Sequence, residues 1–268
     1  MFGNQIEVID AHCHIYPEKI AARAALSVGD FYGESAACPG TVEGLLREGS
    51  AAEIDRFVVQ SVATTPHQVE SINRFIAAEV AEQGGRLIGF GTLHPDSADQ
   101  AGDIARLREL GLRGVKLHPD IQGFKIDDYR CLRIYELCEQ EGLPILMHTG
   151  DSRYDNSNPN RLLPILKIYT GLTVIGAHFG GWSIWEEASE QLCGIPNLYV
   201  DCSSSLSYIP AETARKIIRR YGADRVLFDT DYPLHSPVHE LELFGALGLT
   251  DEENRAILNG NARRLLGL

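Results

Sequence analysis

Residues 6–14 read Ile-Glu-Val-Ile-Asp-Ala-His-Cys-His, a short apolar segment that ends in two histidines two positions apart. Successive side chains of a β-strand point to opposite faces, so we expect Asp10, His12 and His14 on one face and the apolar residues between them on the other. The apolar face suits a layer of helices, which leaves the two imidazoles inside the sheet at its C-terminal end. Two such histidines can bind one metal ion, although two histidines hydrogen-bonded to backbone give the same pattern.

Seven further segments of similar length follow along the chain, each apolar or alternating and each followed by a helical pattern. With the first strand taken as Ile6–His12, the other predicted strands are Arg56–Val62, Leu87–Leu93, Gly114–His118, Pro144–His148, Thr173–His178, Leu198–Cys202 and Arg225–Asp231. From the second strand onward their centres recur about every 24 to 31 residues, the length of one strand–helix unit. Eight such units predict an α/β protein of one domain, a (β/α)8 TIM barrel over residues 1–268, in preference to an open sheet.

The composition excludes several kinds of partner. A net charge of -13 argues against nucleic acid and against an anionic membrane surface. The six cysteines form no C-x-x-C pair, which fits a reducing compartment. The first residues show no basic segment followed by a long apolar one, so we expect no signal peptide, no membrane span and a cytoplasmic protein. We expect a small-molecule substrate as the partner, and a homodimer is compatible with the sequence.

The connection after the first strand, from Ile15 to about Glu53, is much longer than the others. It is polar, rich in Gly and Ala, and carries Tyr16, Lys19, Phe31 and Tyr32. A long connection at the C-terminal end of a barrel strand usually shapes a substrate pocket. The alternative is a disordered insertion.

Further polar residues stand where later strands end. His148 ends the fifth strand, His178 the sixth and Asp231 the eighth. The C-terminal ends of all barrel strands meet at one mouth, where catalytic groups collect. Histidines that only fill a core would not choose the same end of several strands, so we expect a functional site at this mouth.

Together these motifs resemble a known family. The Asp-x-His-x-His of the first strand, the single histidines of strands five and six and the Asp-Tyr-Pro after strand eight resemble the amidohydrolase superfamily. Within it the chain is similar to the amidohydrolase-related, or amidohydrolase-2, branch, whose closing helix the segment 257–266 also resembles. The branch includes lactone and amide hydrolases as well as decarboxylases of the aminocarboxymuconate-semialdehyde type. The resemblance therefore indicates the fold and a metal but not the substrate.

The resemblance implies that four residues bind a divalent metal: His12, His14, His148 and Asp231. Imidazole and carboxylate ligands suit Zn²⁺, and a zinc ion with an open position lowers the pKa of its bound water to roughly 7. Asp231 would take a proton from that water, and His178 would polarise a substrate oxygen or carry a proton. Asp229 has the same parity on the eighth strand and is the alternative ligand. We prefer Asp231, because it matches the family motif, and expect Asp229 to orient a histidine.

Lys116, in Gly114-Val-Lys-Leu-His118-Pro, stands where two-metal members of the superfamily have a carboxylated lysine. In the one-metal branch this lysine more often contacts substrate, so we expect one metal ion, with a second ion as the alternative. We expect Lys116 and Arg153 to bind a substrate carboxylate, for which a guanidinium is the better bidentate donor. For His118, beyond the strand end, we expect a hydrogen-bonding role in a loop.

These features predict an enzyme, because three or four protein ligands with one open position describe a reactive zinc site and not a structural one. The main expectation is a metal-dependent hydrolase in which zinc-activated water attacks a C–N or C–O bond, of the amide or lactone type, in a small anionic substrate. The alternative is a metal-dependent non-oxidative decarboxylase of the aminocarboxymuconate-semialdehyde type. Decarboxylases of this branch tend to be longer than this chain, and its short length therefore favours the hydrolase. A non-catalytic metal- or ligand-binding protein is the remaining alternative.

Overall fold

The structure is a computed structural model that describes residues 6–268. Residues 1–5 lie outside the described residues. The predicted domain begins in this stretch, and so does the segment in which we expected no signal peptide. Within residues 6–268, no helix is both long enough and apolar enough to cross a membrane.

Short parallel strands form the wall of the fold, and each predicted strand overlaps at least one of them; the first extends two residues beyond its predicted end, to His14. They are β1 (Ile9–His14), β2 (Arg56–Gln60), β3 (Leu87–Gly89), β4 (Gly91–Thr92), β5 (Val115–Leu117), β6 (Ile145–Met147), β7 (Val174–Gly176), β8 (Leu198–Asp201) and β9 (Val226–Leu227). Strands that follow one another along the chain pair in parallel, in the orders β1-β2-β3 and β4-β5-β6-β7-β8-β9. This is the connectivity of repeated strand–helix–strand units.

The first seam between these two sets lies at Phe90, which separates β3 from β4. The N–H of Phe90 donates to the carbonyl of Val59 at 2.9 Å, and the N–H of Gly91 donates to the carbonyl of Gly114 at 2.9 Å. β3 and β4 are therefore two parts of one predicted strand, Leu87–Leu93.

The second seam joins the first strand to the segment that follows β9. The N–H of Asp231 donates to the carbonyl of His12 at 2.9 Å, and the N–H of His14 donates to the carbonyl of Tyr232 at 2.6 Å. These bonds close the sheet on itself. Together with the structural neighbours described below, they confirm the predicted (β/α)8 barrel.

Helices follow the strands and surround the barrel. They are α1 (Glu18–Tyr32), α2 (Val42–Ala51), α3 (Val69–Glu82), α4 (Gln100–Glu109), α5 (Pro119–Gln122), α6 (Tyr129–Glu141), α7 (Pro159–Ile168), α8 (Trp185–Leu192), α9 (Ala211–Tyr221), α10 (Pro237–Gly245), α11 (Asp251–Arg255) and α12 (Asn261–Leu266).

The long first connection is not an irregular loop, because α1 and α2 occupy most of it. Ala21, Ala25 and Gly29 recur every four residues in α1 and are buried, so one narrow face of this helix packs on the protein. Gly33 ends the helix with a φ of 75°, a left-handed conformation that glycine adopts without a steric cost.

The interior of the barrel contains an apolar cluster separate from the core between strands and helices. It consists of Ile9, Ala11, Val58, Ile88, Phe90, Leu146, Ile175, Ala177, Tyr199, Leu227 and Ala262. The predicted alternation along the first strand is therefore wrong in part: Ile9 and Ala11 face the interior, while Cys13 packs in the outer core. The reason is a shift in the β1–β2 register between Asp10 and Cys13, a bulge that reverses which side chains face inward.

Candidate active site

A cavity of about 680 Å³ opens at the C-terminal end of the barrel. Strands and the segments that follow them supply its polar floor: His12, His14, Lys116, His118, Asp120, His148, His178 and Asp231. Helices α1 and α3 supply an apolar wall: Ile20, Ala24, Val28, Ile72 and Phe75. The expectation that the first connection shapes the pocket agrees with this lining.

Three ligand-type atoms converge in the floor. Nε2 of His12 lies 3.1 Å from Nε2 of His14, and Oδ1 of Asp231 lies 3.3 Å and 3.6 Å from these two nitrogens. The bulged end of β1 and its seam with the segment after β9 bring the three side chains together. All three belong to one group whose ligand atoms lie within 4.8 Å of one another.

The hydrogen bonds behind His12 determine which of its nitrogens is free. Nδ1 of His12 lies 3.0 Å from Oδ2 of the fully buried Asp201, so this nitrogen carries the proton and donates it. Nε2 of His12 therefore presents a lone pair to Nε2 of His14 and to the carboxylate of Asp231. Three acceptors that face one another in a buried site fit a divalent cation, and a carboxylate behind a histidine is a common way to orient such a ligand.

Lys116 is the buried cation of this floor. Its Nζ lies 3.0 Å from Nε2 of His12, and the residue is 1% exposed. Burial lowers the pKa of Lys116 to about 8 and raises the pKa of the Asp231 carboxyl to about 6. Burial also lowers the pKa of His12 and of His14 well below the usual value, so both imidazoles are neutral, the form that binds metal.

His148, the fourth predicted ligand, does not join the group of three. Its Nδ1 lies 3.0 Å from Nε2 of His178, and its Nε2 lies 3.6 Å from Oδ2 of Asp120. His148 forms a second set of ligand-type atoms with His118 and Asp120. The rings of His118 and His148 stack in parallel, with 4.0 Å between centroids, so their in-plane lone pairs run side by side and do not converge on one ion. A role for His148 as a ligand stays a prediction.

Arg153 does not line the cavity. Its guanidinium forms an ion pair with Asp151, with 2.7 Å between Nη2 and Oδ2, and donates to the carbonyl of Phe31 at 2.7 Å. The expected contact with a substrate carboxylate is thus not favoured by the geometry, because the donors of Arg153 are already bonded to the protein.

Asp229 and Asp231 have different positions, which distinguishes the two candidate ligands of the eighth strand. Oδ1 of Asp229 accepts the backbone N–H groups of Cys202 and Ser203, at 3.0 Å and 2.9 Å. Asp229 lies in one group of ligand-type atoms with His12 and Asp201, but the carboxylate that accepts from Nδ1 of His12 is Asp201. The expectation that Asp229 orients a histidine stays a prediction. Asp231 is the carboxylate that reaches the histidine pair.

Sequence reasoning missed Asp120, Asp201 and Tyr32, which all belong to the site. Asp201 ends β8 and was detectable by the rule that found His148, since it is a buried carboxylate at the end of a strand. Tyr32 was noted only as a loop residue. Its placement depends on α1, which the polar composition of the first connection did not predict.

A closed parallel barrel with histidine and aspartate side chains that converge at its mouth, in an arrangement suited to a divalent metal, is typical of a class of barrel proteins. The amidohydrolase-2 family model, described as Amidohydrolase, matches residues 9–268, so the chain belongs to this family. The 2-amino-3-carboxymuconate-6-semialdehyde decarboxylase of Dictyostelium discoideum is 29% identical to it, over 74% of this chain. The chain spans only 66% of the length of that relative.

Solved structures share the fold over nearly the whole chain. An uncharacterised TIM-barrel protein from Bordetella bronchiseptica has a TM-score of 0.81 at 24% identity, covering 98% of this chain and 99% of its own. A dihydroxybenzoic acid decarboxylase from Polaromonas sp. JS666, with bound manganese and the inhibitor 2-nitroresorcinol, has a TM-score of 0.75 at 18% identity, covering 98% of each chain. Both confirm the barrel.

These comparisons correct the main functional expectation. The sequence favoured a hydrolase, whereas the named relative and the named structural neighbour are decarboxylases, as the alternative predicted. Chain length did not distinguish the two reactions, because this chain spans 66% of the length of one decarboxylase and 98% of the other. The comparisons support an enzyme, and the site contains groups suited to a divalent metal.

We expect the purified protein to hold about one divalent ion per chain, and His14→Ala to lose most of it, because that change removes one of three converging ligand atoms. Metal analysis by mass spectrometry of the purified proteins measures the content. His67→Ala, at an exposed position, is the matched control and should keep the ion. Full metal content in His14→Ala would contradict the site.

Proposed function

We propose that this protein is a metal-dependent decarboxylase, a lyase that releases CO₂ from a small, unsaturated carboxylic acid without oxidising it. The observation that carries the proposal is the buried Lys116 beside the group of His12, His14 and Asp231, in a cavity with an apolar wall. Similarity to one decarboxylase in sequence and to another in fold supports the same class of reaction.

The apolar wall limits the kind of carbon skeleton that the cavity accepts. Ile20, Ala24 and Val28 recur at helical spacing in α1, and Ile72 and Phe75 line the cavity from α3. A ligand that covers such a wall gains roughly 25 cal/mol for each Å² of apolar surface removed from water. The wall therefore favours an aromatic or conjugated skeleton, with its carboxylate turned to the polar floor.

His12, His14 and Asp231 would hold the metal, with His148 as the further ligand that the sequence predicts. Imidazole and carboxylate ligands suit zinc, which remains our expectation, while the solved dihydroxybenzoic acid decarboxylase contains manganese. When bound, a divalent ion supplies positive charge that stabilises negative charge developing on substrate oxygens.

Lys116 and Asp231 would carry out the steps that the chain itself performs. The ammonium of Lys116 pairs with the substrate anion and orients it. The bond between the carboxylate carbon and the skeleton breaks, CO₂ leaves, and the electron pair stays on the skeleton carbon, which then takes a proton. No oxidant is needed, because that electron pair forms the new C–H bond.

Asp231 is the proton donor in this proposal. In the chain without a bound cation, burial raises the pKa of its carboxyl to about 6, which favours the protonated form that can donate. The hydroxyl of Ser204 donates to Oδ2 of Asp231 at 2.7 Å and fixes the carboxyl.

His178 would support proton movement through His148. Nδ1 of His178 lies 3.0 Å from the carbonyl of Ser203, and its Nε2 lies 3.0 Å from Nδ1 of His148. The residue is 2% exposed, so these bonds do not exchange readily with water. The two imidazoles offer a path by which a proton returns to the site after each turnover.

Release of CO₂ tests the function directly. We expect metal-loaded protein to release CO₂ from 2,6-dihydroxybenzoate or from 2-amino-3-carboxymuconate 6-semialdehyde. Asp231→Asn should release none, because the amide can neither supply the proton nor hold the metal as a carboxylate does. A coupled CO₂ assay with chromatography of the product measures it, with chelated wild type as the control. No CO₂ from either acid, at full metal content, would contradict the proposal.

Lys116→Ala should raise KM for the acid and leave the metal content unchanged, with a loss of about 2–5 kcal/mol in kcat/KM if a buried charge pair is broken. Steady-state kinetics and metal analysis on the same sample give both quantities. Lys167→Ala, at an exposed position, is the control. A fall from two ions to one would instead identify Lys116 as a carboxylated lysine that bridges a two-metal site.

His178→Asn should lower kcat by roughly 10²-fold or more while the metal content stays unchanged, because the amide cannot exchange a proton as an imidazole does. Single-turnover rates together with metal analysis separate chemistry from metal loss. If the ion disappears along with the activity, His178 is a metal ligand and the role proposed for it is wrong.

A further inference from the structure

Tyr32, the last residue of α1, places a phenol in the polar part of the cavity. Its Oη lies 2.8 Å from Nε2 of His118 and 3.4 Å from Nδ1 of His148. The hydroxyl therefore belongs to the set around His118 and not to the group of His12, His14 and Asp231. Which way its proton points follows from the hydrogen bonds of the two histidines.

His118 has only one nitrogen that can carry a proton as a neutral imidazole. Its Nδ1 accepts the backbone N–H of Ile121 at 3.3 Å, so Nδ1 has a lone pair and the proton is on Nε2. Nε2 of His118 thus donates to Oη of Tyr32. The phenol oxygen is an acceptor in this bond, and the proton of Tyr32 is left for another partner.

His148 cannot accept that proton. The hydroxyl of Ser203 donates to Oδ1 of Asp201 at 2.8 Å, so Nδ1 of His178 must itself donate, to the carbonyl of Ser203 at 3.0 Å. Nε2 of neutral His178 then has a lone pair and accepts from Nδ1 of His148 at 3.0 Å. Nδ1 of His148 is therefore a donor, and it presents a hydrogen to Tyr32 instead of an acceptor.

We propose that Tyr32 is a substrate-binding residue that donates its hydroxyl proton to an oxygen substituent of the substrate other than the reacting carboxylate. The proposal rests on the proposed function for the identity of the substrate as an unsaturated acid. Lys116, beside His12, binds the carboxylate in that function, so the Tyr32–His118 pair is left for an oxygen elsewhere on the skeleton. A phenolic hydroxyl, a phenolate or a carbonyl oxygen provides the acceptor.

Arg153 holds Tyr32 in this position from the far side of the helix end. Its guanidinium carbon lies 5.8 Å from the ring centroid of Tyr32 and 5.1 Å from that of Phe31, and it donates to the carbonyl of Phe31 at 2.7 Å. The ion pair with Asp151 fixes the guanidinium in turn. Arg153, expected from the sequence to bind substrate, is a positioning residue that acts through Tyr32.

Equilibrium binding separates this role from general packing. We expect Tyr32→Phe to raise the Kd of 2,6-dihydroxybenzoate about fivefold to tenfold, the size expected for one lost hydrogen bond, and to leave the Kd of benzoate unchanged. Stopped-flow tryptophan fluorescence on metal-loaded protein, read before the first turnover, measures both ligands, because the ring of Trp182 lies 5.2 Å from that of Tyr32. The unfolding temperature shows whether the variant is folded. Because binding is read without turnover, the result does not depend on whether CO₂ is released.

Tyr154→Phe is the matched control, since Tyr154 stacks on Phe31 at 5.6 Å and packs against the same guanidinium. It should change neither Kd. An equal loss for both ligands in Tyr32→Phe would mean that the ring only shapes the cavity and would overturn the proposal. So would an unchanged Kd for the dihydroxybenzoate, or a wild-type protein that binds benzoate as tightly as the hydroxylated acid.

Discussion

Two backbone hydrogen bonds, from Asp231 to His12 and from His14 to Tyr232, join the first strand to the segment after the last one. Without them the sheet would be an open array with two unpaired edges. With them, the carboxylate of Asp231 lies against two imidazoles that stand more than 200 residues earlier in the chain. Closure of the barrel and assembly of the site are therefore one event, and the position of the ligands is fixed by the same bonds that remove the sheet edges.

The strands were predictable because each carries its own short apolar pattern and because the pattern repeats at the length of a strand–helix unit. The location of the site was predictable because the C-terminal ends of all barrel strands meet at one mouth. For this reason His12, His14, His178 and Asp231 could be placed from the sequence. The side chains facing inward on the first strand could not be fully predicted. A bulge adds a residue to one strand without a signal in the alternation of polar and apolar residues.

Helix α1 could not be predicted from the sequence, for a different reason. Its buried face consists of small residues, Ala21, Ala25 and Gly29, which give a weak apolar signal although they allow close packing. The contact between Arg153 and α1 could not be predicted either, because it depends on where α1 packs. Arg153 looked like a free cation, although it pairs with Asp151 two residues away, and the docking of α1 gives it a further partner in the carbonyl of Phe31. The expectation of a hydrolase was wrong because one set of ligand-type residues suits both hydrolysis and decarboxylation. The types of ligand alone do not determine which of the two reactions a site performs.

The seam between the first and last strands also has a consequence in time. A ribosome adds about 5–20 residues per second, so roughly 10 to 40 seconds of synthesis separate the emergence of His12 from that of Asp231. Throughout that interval His12 and His14 lack the carboxylate of Asp231 and have no closed barrel around them. The nascent chain therefore cannot complete the binding group, and the earlier βα units must await the last strand in a partly open form. Convergence of the three side chains is therefore confined to a chain whose last strand has been synthesised.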